Sequence, residues 1–364
     1  MKESVTHSFF ELLQVSIGVR ERLGVSLDAE EWKQMLTIAK KQELVGVVFV
    51  GVQRLKLIGQ GPDDMLYLTW MGLASVVQHR NEMINNQCVE IQEVARKAGF
   101  RTCILKGQGN AMLYSPELQL MRTSGDIDLW LEGGYERVMA WVQATIPTDD
   151  VHGHHAHYHY FKDTDVEIHY RPIHGFSPRR NRVLDDYFET RQESCFTHRI
   201  MLPNGGKITV PDVEFSLVQQ LAHIFQHFTM GGIGLRQLMD YYFLLIASTE
   251  KQRKEVASIV KKLHLPRFVA ALMWLLEDAF ALSPEKMLIL PNEKDGRFLL
   301  EEVMRSGNFG HDDERIPKGM GYWKSFWFYN TYSLRLSRFD HTLWLWLPIM
   351  RMKGFLWRKL KGYK

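Results

Sequence analysis

Residues 105–134 read LKGQGNAMLYSPELQLMRTSGDIDLWLEGG, and near the end of this stretch two aspartates, Asp126 and Asp128, stand one residue apart among apolar neighbours. Side chains alternate along a β-strand, so both carboxylates of DIDLWL project to one face while Ile127 and Leu129 point to the other. Like charges that close repel, and desolvation costs on the order of several kcal/mol per ion unless a positive charge sits between them. A divalent metal is the obvious candidate. A lone D-x-D is also what a solvated strand edge looks like, so its surroundings decide.

Upstream, FRTCILKG alternates Phe100, Thr102 and Ile104 against Arg101 and Cys103, a short strand ending at Lys106-Gly107. The following QGNAMLYS reads as a turn into a helix. A glycine there lets backbone N–H groups approach a phosphate, and a helix N-terminus adds partial positive charge. Downstream, GYERVMAWVQATI reads as a helix. HHAHYHYFKDTDVEIHYRP reads as a hairpin turning at KDTD and stopping at Pro172, with Glu167 pointing away from Val166 and Ile168. GGKITVPD supplies one more short strand. A glycine turn, a D-x-D on the next strand and a carboxylate on a later one is the arrangement a two-metal phosphoryl-transfer site requires, because Mg²⁺ prefers hard oxygen ligands.

The segments ILKGQGNAMLY, MRTSGDIDLWL and VEIHYRP together resemble the bacterial uncharacterised nucleotidyltransferase family of the polymerase-β-like nucleotidyltransferase superfamily. That family shares an L-K-G turn, an R-x-x-G-D-I-D-L strand and a D/E-x-H strand. The match covers residues 100–172 with specific motifs and residues 212–245 more loosely. It departs in the turn, which in the superfamily is usually Gly-Gly or Gly-Ser with a shorter gap to the first aspartate. Here Gln108 follows Gly107, 19 residues before Asp126, and Gly109 is expected to take part of the phosphate-binding role.

The resemblance implies a Mg²⁺-dependent nucleotidyltransferase, with two ions and Mn²⁺ as the alternative metal. It would move a nucleoside monophosphate from an NTP, with ATP the expected donor, to an acceptor hydroxyl or phosphate. Asp126 and Asp128 would be metal ligands, and Glu167 would complete the acceptor-side metal or act as base. Lys106 and Arg122, with Gly107 and Gly109, would contact the phosphates. The fold class that follows is α+β. A small mixed β-sheet nucleotidyltransferase core (100–210) lies between an N-terminal helical region (1–99) and a C-terminal helical region (211–364).

The flanks read as helix throughout. SLDAEEWKQMLTIAKKQEL offers Asp28 as N-cap with Glu31 three residues on, and residues 65–98 form one long helix with Gly72 as its one weak point and Gly99 as C-cap. Four more helices follow Asp212. In HGHHAHYHYF, His155, His157 and His159 would share one strand face. A transition-metal site, imidazoles lining the acceptor pocket beside Glu167 and His169, and a plain polar face are all readings of it. The metal reading is the weakest, because a zinc cage usually draws on separate elements. His223 and His227 stand four apart on a helix, as do Arg236 and Asp240, for which an intrahelical ion pair suffices. His157, His169, His227 and Arg236 are the candidates for the acceptor pocket.

The C-terminus, LWLWLPIMRMKGFLWRKLKGYK, interleaves Trp344, Trp346 and Trp357 with basic residues. Docking on the body, peripheral contact with an anionic membrane and RNA contact are the readings, and Pro348 and Gly354 argue against a long helix. A net charge of +3 argues against a long nucleic-acid acceptor, so a small molecule or a protein is expected. The widely spaced Cys88, Cys103 and Cys195 read as reduced thiols of a cytoplasmic protein. The first apolar run is too short and interrupted for a signal peptide, and no window suits a membrane span. Two rivals stand beside the transferase: a catalytically silent interaction module of the same fold, and a metal phosphohydrolase built on the histidine strand.

Overall fold

The computed structural model describes residues 3–310, 313–317 and 319–363. The chain opens with α1 (Glu3–Ser16), α2 (Ala29–Lys41), α3 (Val45–Leu57) and α4 (Asp64–Lys97). The Asp28 carboxylate accepts from the N–H groups of Glu30 and Glu31, and Glu31 returns a bond to the Asp28 N–H, the capping box its spacing predicts. α4 runs unbroken through Gly72.

The sheet follows as β1 (Thr102–Ile104), α5 (Gln108–Ala111), β2 (Ile127–Leu131), α6 (Gly134–Thr145), β3 (His155–His157) and β4 (Val166–His169). Its order is β1-β2-β4-β3, with β2 and β4 parallel and the outer pairs antiparallel. α7 (Pro178–Thr197) leads to a separate ribbon of β5 (Arg199–Met201) and β6 (Lys207–Thr209). Then come α8 (Val213–Met230), α9 (Leu235–Ala247), α10 (Glu250–Lys262), α11 (Pro266–Phe280), α12 (Glu293–Ser306), α13 (Tyr322–Leu334) and α14 (Leu343–Lys361). This is the α+β architecture the sequence predicts, a small mixed sheet flanked by helices.

Two hydrophobic clusters explain why the sheet faces differ. Ile127, Leu129 and Leu131 of β2, Val166 and Ile168 of β4 and Ala156 of β3 join Ile84, Cys88 and Ile91 of α4 and Val138 and Val142 of α6 in one cluster. The alternate positions point the other way. There Trp130 stacks on Phe215 of α8 inside the larger cluster, which also unites α1–α3 with α8–α12. Asp128, Glu167, His155, His157 and His169 occupy the remainder of that second face, so the apolar alternation that builds the core also fixes which side carries the chemistry.

α14 corrects an expectation. It is continuous through both Pro348 and Gly354. Proline removes one backbone hydrogen bond, to the Trp344 carbonyl, and Trp344 is exposed, so water can serve that carbonyl. The helix docks by one side: Trp357 packs against the sheet cluster, and the Tyr135 and Tyr363 hydroxyls lie 3.0 Å apart. Trp344, Leu345, Ile349, Leu356 and Leu360 stay exposed on the other. Among the described residues no helix is long and apolar enough to cross a membrane. All three cysteines are free and buried.

Candidate active site

Parallel pairing of β2 with β4 sets Asp128 directly beside Glu167. Asp128 is 2% exposed and is met by two cationic groups: Lys106 Nζ and His169 Nε2 each lie 3.0 Å from its Oδ1. His169 Nε2 is also 3.3 Å from Glu167 Oε2, and His155 Nε2 is 3.6 Å from Glu167 Oε1. Lys106 arrives because the Leu105 N–H donates to the Asp128 carbonyl, extending the β1–β2 ladder by one residue. Asp126 lies one residue before β2, at the mouth of the site rather than within the strand. Gly107, at φ +63°, makes the turn, and a Cβ there would lie 3.9 Å from the Asp126 carbonyl oxygen.

The electrostatics follow from this crowding. Protein walls around the Asp126 carboxyl, then repulsion from Asp128 and Glu167, raise its pKa against the pull of Lys106, although solvent reaches the residue through the cavities it borders. Burial works against charge on His169, but its bonds to Asp128 and Glu167 prevail and lift it to about 9. Burial likewise opposes ionised Glu167, yet its bond to the cationic His169, with Lys106 nearby, holds it well below the usual carboxylate range. Lys106, desolvated but beside three carboxylates, is held above the ordinary lysine value. Burial keeps His155 down at about 2 and His227 at about 4, both neutral imidazoles.

Two cavities meet at Asp126 and Glu167. The larger, about 1160 Å³, is bounded by Lys106, His169 and the α8 pair His223 and His227 on one side, and by α14 on the other. His223 Nε2 lies 3.1 Å from Lys106 Nζ and 2.9 Å from His227 Nε2. α14 contributes Arg351, Lys353, Arg358 and Lys361 to this wall, and among the described residues none of the four forms an ion pair with a carboxylate. The smaller cavity, about 310 Å³, is lined by Ser124, Gly125, His157 and Arg236 as well. Arg236 donates from Nη1 to the Thr123 carbonyl at 3.0 Å, while its buried Nε has no partner.

The structure therefore brings Asp126, Asp128, Glu167, Lys106, Gly107 and His169 together and separates other candidates. His169 and His227 face the larger cavity, whereas His157 and Arg236 face the smaller one, so they do not form a single pocket. Arg122 is turned away. It is 4% exposed and its Nε and Nη2 each donate to Asp240 at 2.7 Å, with the Tyr114 hydroxyl on the same carboxylate. That pair also replaces the Arg236–Asp240 ion pair expected along α9. Gly109 faces Val210, where a Cβ would come within 3.0 Å of a methyl carbon, so its smallness serves packing rather than a phosphate. Gln108 is buried against α4, donating to Asn85 at 2.5 Å and Asn81 at 3.3 Å. β3 ends at His157, leaving His159 exposed beyond the shared face. The α14 cations went unassigned to the site because their approach spans more than 200 residues of chain, for which composition carries no signal.

Asp128, Glu167 and His169 offer ligand atoms within 4.8 Å of one another, with the Asp126 carboxylate at their edge, and hard carboxylate oxygens are the donors that suit magnesium. A family model described as uncharacterised nucleotidyltransferase matches residues 28–281, a span that holds the D-x-D, Glu167 and the α8 histidines but not α14. No curated protein and no solved structure matches the chain. The matched span covers well over half of the sequence, and the chain belongs to the uncharacterised nucleotidyltransferase family.

Proposed function

We propose that this protein is a Mg²⁺-dependent nucleotidyltransferase that moves a nucleoside monophosphate from an NTP, with ATP the expected donor, to a small anionic acceptor. The observation that carries this reading is the registered Asp128–Glu167 pair with Asp126 at its edge, opening on a cavity lined by cations. Asp126 and Asp128 would hold the ions, and Glu167 would complete the ion on the acceptor side. Magnesium, when bound, supplies positive charge to the phosphate oxygens as the α–β bond breaks.

The residues of the chain do the rest. Glu167 is held so firmly ionised by the cationic His169 that it serves as a ligand rather than as the general base, since a base works best near ambient pH. His169 fixes both carboxylates through one nitrogen, 3.0 Å from Asp128 and 3.3 Å from Glu167. Lys106, held by Asp128 and close to His223, sets a fixed positive charge beside the reacting phosphate. Arg236, which lines the smaller cavity with Asp126, offers a positive charge to the departing pyrophosphate. Among the described residues Arg351, Lys353, Arg358 and Lys361 have no carboxylate partner, which favours an anionic acceptor opposite the nucleotide. The larger cavity exceeds what a nucleotide alone fills, since small-ligand pockets run about 300–1,000 Å³.

The test is the fate of labelled phosphorus. ATP labelled at the α position, and in a parallel reaction at the γ position, is incubated with Mg²⁺, the protein and a small-molecule extract of the source cells. Label should enter a new product with release of pyrophosphate, and not with D126N/D128N. Release of γ-label as orthophosphate, with the α-label left on nucleotide, would mean a phosphohydrolase instead. No turnover and no nucleotide binding would mean a silent module.

A further inference from the structure

The segment Asp150-Val151-His152-Gly153-His154-His155-Ala156-His157 is a hairpin in its own right, folded about Gly153-His154. The His152 N–H donates to the His155 carbonyl at 2.8 Å, the His157 N–H donates to the Asp150 carbonyl at 3.0 Å, and Val151 bridges Ala156 between them. Position 150 is thus opposite 157, and 152 opposite 155. Val151 and Ala156 are fully buried in the sheet core at 0% exposure. The pleat therefore sends Asp150, His152, His155 and His157 together to the other face.

We propose that these four side chains form a mononuclear site for a borderline transition-metal ion, Zn²⁺ foremost, separate from the carboxylate site of the D-x-D. Ligand nitrogens of His152, His155 and His157 lie within 4.8 Å of one another. The Asp150 carboxylate stands beside two of the three, 3.1 Å from His152 Nε2 and 3.9 Å from His157 Nε2, placed to serve as the fourth ligand. A tetrahedron with Zn–N near 2.1 Å needs its ligand atoms about 3.4 Å apart, so the three nitrogens would draw together by at most about 1.4 Å on binding. Three imidazoles and one carboxylate suit Zn²⁺ or Co²⁺ and are too soft a set for Mg²⁺. His155 carries the strongest sign of a missing partner: its Nδ1 is buried and makes no hydrogen bond. The four ligands come from two antiparallel arms, which meets the usual need for ligands from separate segments. The site also touches the proposed chemistry, because His155 reaches Glu167, so a bound ion would stiffen the strand that orients that carboxylate.

Titration of the metal-stripped full chain with Co²⁺ tests this. The expected result is the intense visible absorption of tetrahedral cobalt, saturating at one ion per chain, displaced by Zn²⁺, and retained in D126N/D128N. H152A and H157A should abolish the band, and D150N, which replaces a charged ligand by a neutral amide, should weaken binding by at least the roughly 10-fold seen for groups that merely support a ligand. Circular dichroism confirms that each variant is folded, and D150N and H152Q, which preserve bulk, stand in for any alanine variant that is not. Absence of a cobalt band would overturn the proposal. So would a band that survives H152A and H157A but disappears with D126N/D128N, or one that depends on His154 in place of His152.

Discussion

Asp240→Asn probes the buried ion pair that holds the approach to the D-x-D. Asp240 accepts from two nitrogens of Arg122 and from Tyr114, each at 2.7 Å, and both charged residues are 4% exposed. Breaking such a pair from one side costs about 3–5 kcal/mol, because the surviving charge stays buried without its counter-ion. Arginine cannot shed its proton to escape, whereas a stranded aspartate can take one up. D240N should therefore cost more than R122M. In R122M the stranded Asp240 carboxyl has a folded pKa above its unfolded value, so that variant's deficit shrinks as the pH falls. The D240N deficit should stay flat until the pH falls below the ordinary carboxylate range, where the wild type loses the contribution of its ionised Asp240. With unfolding entropy near 2.1 cal/mol/K per residue over 364 residues, 3–5 kcal/mol corresponds to a Tm drop of about 4–7 °C in calorimetry. A D240N loss under about 1 kcal/mol, or equal pH-independent losses in both variants, would refute this account of the pair.

Other outcomes follow from the same geometry. His169 has a folded pKa of about 9, above its unfolded value near 6.5, so its contribution to stability is full below about pH 6.5 and is lost as the pH rises toward 9. Urea midpoints of the metal-free chain at those two pH values should show that loss, and H169Q should abolish it. Under the proposed function magnesium would compete with the imidazolium for Asp128 and Glu167, so adding it should release protons, read by calorimetry in buffers of different ionisation enthalpy. Gly109→Ala should destabilise by about 1–3 kcal/mol through its clash with Val210 while leaving nucleotide affinity unchanged. Removing two of the four α14 cations in K353A/R358A should weaken binding of the nucleotide or the acceptor roughly 2- to 30-fold at low salt, a difference that high salt erases.

The alternation Ile127, Leu129 and Leu131 against Asp128 and Trp130 was legible because a strand of period two leaves no other placement for the carboxylates. Glu167 was legible for the same reason between Val166 and Ile168. The capping box at Asp28 and Glu31 was a local signal and formed locally. Arg122 misled because it adjoins the motif in sequence, while its partner Asp240 lies 118 residues away on α9. Gly109 misled because a glycine needed for close packing and one needed for a phosphate look alike in a sequence. Pro348 and Gly354 lower helix propensity, but packing of α14 on the body outweighs a single lost hydrogen bond. The hairpin at 150–157 did carry a signal that went unread. Asp-Val-His and His-Ala-His mirror one another about Gly153-His154, with an apolar residue at the centre of each arm.

The most direct test of the central claim is nucleotide-dependent stabilisation. The melting temperature is measured with ATP, with and without Mg²⁺, for the wild-type chain and D126N/D128N. ATP at about 100 times its dissociation constant should add roughly 2.7 kcal/mol to the wild type only when Mg²⁺ is present. The double variant should show no such gain. An equal shift in the variant, or no shift in the folded wild-type chain with any of the NTPs, would contradict the assignment of the paired aspartates to a metal–nucleotide site.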